Sequence, residues 1–200
     1  NPVSKPQPTR WWDWPAVMLL IAAIYVAATR LNATNWTEEL NVVQTISLVG
    51  VVAGLALGKS TFSKGVVRFF AFMYGAFVIL WQLGLTLGQG VLWPERMLSM
   101  GNRLLLILDQ ILQQKPVTDN LFFELLMGIL FWTLSVYAGY SLTRYGNAWR
   151  AIIPAGLTMI VIHTFDAHLA IRTWFLAGFI FLALFLVARM HFIHLKYRWK

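Results

Sequence analysis

The residues best equipped for chemistry lie close together in the last fifth of the chain: His163, Asp166 and His168, in the run His163-Thr-Phe-Asp166-Ala-His168. Imidazole nitrogens and a carboxylate are side chains that hold a transition-metal ion, and a histidine inside a membrane can ligate a chlorophyll-type pigment. The spacing here matches no specific ligand motif. Near neighbours on a connecting loop are commonly solvated, so these three remain candidates to which no metal or pigment is assigned. The second candidate is Glu124, the one carboxylate that falls inside an apolar run. An acid within a membrane is a functional-site hypothesis by default. Glu124 stands only about one helical turn from Asp119, however, so an interfacial or structural pairing is expected rather than a proton or ion role.

Nucleophiles are no better represented. With 0 Cys, disulfides, thiolate metal sites and cysteine-nucleophile mechanisms are all excluded. The sequence contains no Gly-rich phosphate loop, no HExxH and no Ser-His-Asp grouping beyond chance, so no catalytic residue is assigned.

The elements that must position these side chains are hydrophobic. Hydrophobic residues make up 58% of the chain and charged residues 12%, with mean hydropathy +0.64. A water-soluble domain carries about a quarter charged residues, so the reading is an all-α, polytopic integral membrane protein. The clearest span is the last. Thr173 to Ala188 reads TWFLAGFIFLALFLVA without a charge, fenced by Arg172 and Arg189. With its flanks it approaches the roughly 20 residues that a 30 Å hydrocarbon core requires at 1.5 Å per residue. The two arginines are expected to snorkel to opposite interfaces, with Trp174 at one and Tyr197 and Trp199 beyond the other.

Five further spans precede it, at about 14–29, 40–58, 66–88, 121–143 and 151–165, with the last at 172–190. A Pro-rich tail, residues 1–13, leads into the aromatic cluster Trp11, Trp12 and Trp14. It is not a signal peptide, having no small-residue cleavage site after the first apolar run. Thr37, followed by Glu38 and Glu39, is expected to cap the second span. Gly50 and Gly54 give that span a small-xxx-small spacing that permits close helix approach, within the protein's own bundle rather than across a dimer seam. Residues 95–114 form one amphipathic interfacial helix: Leu104, Ile107, Leu108, Ile111 and Leu112 can share a face, and charges interrupt any run long enough to cross.

Six crossings allow an orientation test. With the N-terminus cytoplasmic, the inner side receives Lys5, Arg10, Lys59, Lys64, Arg68, Arg144, Arg150, Arg189, Lys196, Arg198 and Lys200. The outer side receives Arg30, Arg96, Arg103, Lys115 and Arg172, together with most of the acids. The positive-inside rule therefore places both ends of this segment in the cytoplasm. Orientation also accounts for most of the net charge of +8, so no nucleic-acid partner is needed.

The order of parts resembles the N-terminal membrane region of bacterial transglutaminase-like membrane proteins (DUF3488-type). The resemblance rests on the Trp-Gln-Leu-Gly of Trp81 to Gly84, the outer amphipathic insertion, the Pro-Ala-Gly-Leu of Pro154 to Leu157, and the basic aromatic segment from Ala188 to Trp199. It implies a bacterial plasma membrane and a chain that continues past Lys200 toward an extracytoplasmic domain with a Cys-His-Asp triad. None of those catalytic residues lies in this sequence. Three roles are therefore expected, in this order: a non-catalytic membrane anchor and scaffold; an accessory structural subunit of a photosynthetic or respiratory complex; and a small transporter or channel. The expected partners are the lipid bilayer and other membrane subunits. No cofactor is assigned, although lipid or pigment contacts between spans are allowed for.

Overall fold

The computed structural model describes residues 12–87, 90, 92–117, 119–166 and 169–198, with backbone alone for 169–171 and 196–198. Seven helices account for nearly all of it: α1 (Trp14–Asn32), α2 (Asn41–Lys59), α3 (Lys64–Thr86), α4 (Trp93–Leu112), α5 (Asn120–Tyr145), α6 (Ala148–Phe165) and α7 (Leu169–Arg198). There is no strand among the described residues. All but α4 contain a stretch long and apolar enough to cross a membrane, which makes the chain a six-span, multi-pass membrane protein.

The helices start where local chemistry offers caps. Asp13 accepts the backbone N–H of Ala16 ahead of α1, Ser63 that of Val66 ahead of α3, and Asn147 that of Arg150 ahead of α6. Helix α5 stops at Gly146, which takes φ +60 and returns its N–H to the Leu142 carbonyl. The expected cap at Thr37 is not used. A turn at Glu38 to Leu40 intervenes, so α2 starts with Leu40 as its N-cap and no side-chain bond.

Packing centres on α2 and α5, the most extensive pair, with α1 and α6 completing the middle of the bundle. Helix α3 lies against α2 and α5, while α7 lies against α1 and α6. Glycine decides how near α2 and α5 approach. A Cβ on Gly54 would stand 2.8 Å from Val136 Cα, and one on Gly139 would stand 2.7 Å from the Leu55 nitrogen. In a membrane, where lipid is as apolar as leucine, such close backbone contact and its dispersion energy replace the hydrophobic drive between helices. The small-residue spacing on α2 thus serves an interface inside the bundle.

Helix α4 divides its apolar residues between the protein and the outside. Met100, Leu104 and Ile107 turn toward the protein, whereas Leu108, Ile111 and Leu112 are exposed. At its start Trp93 stacks on Trp81 with ring centroids 4.3 Å apart, and the Arg96 guanidinium donates to the Gly84 carbonyl at 3.3 Å. Helix α7 is longer than its apolar run. It continues through the basic segment as far as Arg198 as a single 30-residue helix.

Candidate functional site

Several charged residues at the two ends of the bundle form clasps between helices. At the end where α1 and α6 finish and α7 begins, Arg30 is fully buried. Its Nη2 donates to Asp166 Oδ2 at 2.7 Å. Arg172, from the first turn of α7, reaches the same carboxylate, with Nη1 3.0 Å from both oxygens. One acid thereby ties three helices. The cost of removing these ions from water is met by their mutual attraction and by short, charge-assisted hydrogen bonds.

His163 joins the cluster, its Nδ1 lying 3.4 Å from Arg30 Nη2. A guanidinium can only donate, so Nδ1 acts as the acceptor and the imidazole proton belongs on Nε2. Two cations and one carboxylate leave a net positive centre. Arg30 Nε and Nη1 are buried without a protein partner among the described residues, which suits them to a small acceptor such as water.

The sequence reading of this region is corrected here. Asp166 is 3% exposed rather than solvated, and His163 belongs to the last turn of α6 rather than to a loop. Both face the guanidinium of Arg30, whose role is not signalled by neighbours in sequence, since His163 lies 133 positions away. His168 falls outside the described residues. Among the described residues no group of three His, Asp or Glu side chains is placed to hold a metal ion.

The opposite end carries a second clasp. Asp13 receives the Arg189 guanidinium in a two-pronged contact, Nε to Oδ2 at 3.1 Å and Nη2 to Oδ1 at 3.0 Å. That bond and the backbone N–H of Ala16 hold the Asp13 carboxyl below its ordinary value of 3.8, against a smaller opposing effect of burial. The two arginines that fence the last apolar run therefore do not snorkel freely. Each is held by an acid, Arg172 by Asp166 at the end of α6 and Arg189 by Asp13 ahead of α1, one at each end of the apolar run of α7.

Glu124 is 5% exposed in the first turns of α5, close to that helix's N-cap Asp119. Trp36 meets Phe123 edge-on at 5.9 Å, so the α1–α2 connection packs against the first turns of α5 beside it. Asp119 itself is engaged by Arg103 of α4, Nε to Oδ2 at 2.8 Å. Its carboxyl is held below 3.8, chiefly by that bond. Glu124 is thus buried within about one helical turn of Asp119.

Comparison with protein-family models, with curated proteins and with solved structures finds no match to this chain.

Proposed function

We propose that the chain is a non-catalytic membrane scaffold of the bacterial plasma membrane, with both ends of the segment cytoplasmic, whose work is to hold a functional domain or subunit in place. The observation that carries this reading is the pair of clasps on α7. Arg172 with Asp166 and Arg30 at one end, and Arg189 with Asp13 at the other, fix α7 against α1 and α6 over the whole crossing. Between them the bundle is drawn together by glycine contacts such as Gly54 on α5. Charge is thus used to fix helix positions, and the one acid inside a span is buried beside the α1–α2 connection. That favours a scaffold over a translocation path, which needs polar groups along a wet route.

In its narrower form the proposal makes this chain the anchor of a transglutaminase-like membrane protein, with catalysis residing in an extracytoplasmic domain elsewhere in that protein. A second reading, accessory subunit of a larger membrane complex, is favoured by α3. Its outward face carries Phe69, Phe72, Phe77 and Trp81, a wide aromatic surface suited to a neighbouring subunit. Intact mass and C-terminal peptide mapping of the native protein, with identification of what co-purifies in mild detergent, separate the two. A mass well above 22.8 kDa with peptides beyond Lys200 supports the anchor. A mass equal to this chain with stoichiometric partners supports the subunit. A chain of this mass that purifies alone and conducts ions in vesicles refutes the scaffold altogether.

A further inference from the structure

Helices α3 and α5 splay apart to leave a lateral groove of about 780 Å³. Its floor is built by Trp132, which donates its indole N–H to the Ala71 carbonyl at 3.0 Å and occupies the space that Gly75 leaves open. Along most of its length the lining is apolar, including Ala76, Ile79 and Ile129. From Lys64 to Leu80 the trough follows α3 for roughly 24 Å at 1.5 Å per residue, which exceeds the half-thickness of a 30 Å hydrocarbon core.

One end is chemically different. Lys64, Arg68 and Arg150 converge there beside Tyr140 and Tyr145. Lys64 and Arg68 are one turn apart on the same face of α3, and the Arg150 guanidinium lies 5.5 Å from the centre of the Tyr145 ring. All three cations are exposed. Among the described residues Asp13 is the one acid at this end of the bundle, and it is already engaged by Arg189. Lys64 and Arg150 also stand in the first turns of α3 and α6, neither of which has an acid there. Cations at a helix N-terminus oppose the helix dipole. A bound anion relieves that repulsion at two helices together.

We propose that this groove is a binding site for one anionic phospholipid, with its phosphate among Lys64, Arg68 and Arg150 and an acyl chain along the α3–α5 trough. The combination argues for a lipid over a soluble anion, because the basic cluster opens directly onto an apolar channel of acyl-chain length. It also argues for an anionic headgroup over a zwitterionic one, because three cations face no carboxylate. The site stands independently of the scaffold reading.

The test is native mass spectrometry of the full chain, delipidated in mild detergent and titrated with phosphatidylglycerol or with phosphatidylcholine of the same acyl chains. One phosphatidylglycerol is expected to be held per chain, about tenfold more tightly than phosphatidylcholine. The combined Lys64→Gln, Arg68→Gln and Arg150→Gln variant is expected to erase most of that preference. Ala76→Trp, which fills the trough, is expected to abolish retention of either lipid. Equal binding of the two lipids, or a preference that survives the charge substitutions, overturns the proposal. So does undiminished retention in Ala76→Trp, which would put the lipid on the general surface. Photolabelling of the unmodified protein by an acyl-chain diazirine phosphatidylglycerol needs no variant to fold. Labelling concentrated on α3 and α5 supports the site, and labelling spread evenly onto α7 refutes it.

Discussion

Asp166→Ala is the substitution that most directly tests how the bundle is held. In the native protein this carboxylate neutralises part of two guanidinium charges, one of them on a fully buried Arg30 whose Nε and Nη1 have no protein partner among the described residues. Removing the acid leaves Arg30 charged, buried and against His163. Removing one member of a buried pair and stranding the other typically costs about 3–5 kcal/mol, or roughly two to four powers of ten in the unfolding equilibrium. Arg30→Met is the instructive control. It keeps much of the side-chain volume and leaves Asp166 still bonded to Arg172 through both oxygens, so its cost should be distinctly smaller. The assay is reversible unfolding in mixed micelles, following helical circular dichroism as the fraction of denaturing detergent rises. The expected order is wild type, then Arg30→Met, then Asp166→Ala as the least stable, with the double variant Arg30→Met/Asp166→Ala recovering part of the loss. Polar contacts between membrane helices are often worth only about 0.6 kcal/mol, because the separated helices find other partners. An Asp166→Ala cost of that size, or a larger cost for Arg30→Met, would refute the argument that Arg30 depends on this acid.

Other expectations follow from single features. Gly54→Ala should separate α2 from α5, since the new methyl would meet the Val136 backbone, which cannot rotate away as a side chain can; about 1–3 kcal/mol is expected in the same unfolding assay. Gly146→Ala places a side chain at φ +60, where the left-handed conformation costs about 1 kcal/mol, and should lower thermal stability modestly without changing helix content. Asp119 has a depressed folded pKa through its bond from Arg103, so that its contribution is present above 3.8 and is lost as pH falls through the lowered value. Hydrogen-exchange protection of α4, corrected for the intrinsic pH dependence of amide exchange, should therefore be flat from neutral pH down to about 4 and fall only below it. The Arg103 and Asp119 side chains are 38% and 25% exposed, so water screens the pair and the effect should stay near or below 1 kcal/mol.

Much of the architecture was already determined by composition and patterning. A chain with this little charge cannot cover a soluble surface, and its apolar stretches are set apart by polar turns, which fixes six spans and one amphipathic helix. The glycine spacing at Gly50 and Gly54 likewise announced a close helix contact, because only a residue without a Cβ permits one. Where α4 turns its leucines was not decided in that way. Several adjacent leucines give more than one apolar face of similar strength, and docking of Trp93 on Trp81 selects the face carrying Met100 and Ile107.

The site was legible only as a set of residue types. Glu124 stood out as the one acid within an apolar run, and His163 and Asp166 as a local cluster. Their partner Arg30 did not, since it lies at the end of α1, more than 130 positions earlier, and reads there as an ordinary interfacial cation. Asp13 and Arg189 are 176 positions apart and meet for the same reason. The sequence by itself determined that charges sit at helix ends, where the cost of placing them in hydrocarbon is lowest. Which end meets which is settled by tertiary packing, because α7 returns along α1 and brings Arg189 to Asp13, while α1 and α6 finish together and bring Arg30 to Asp166; of the three pairs only Arg172 and Asp166 are near neighbours in sequence.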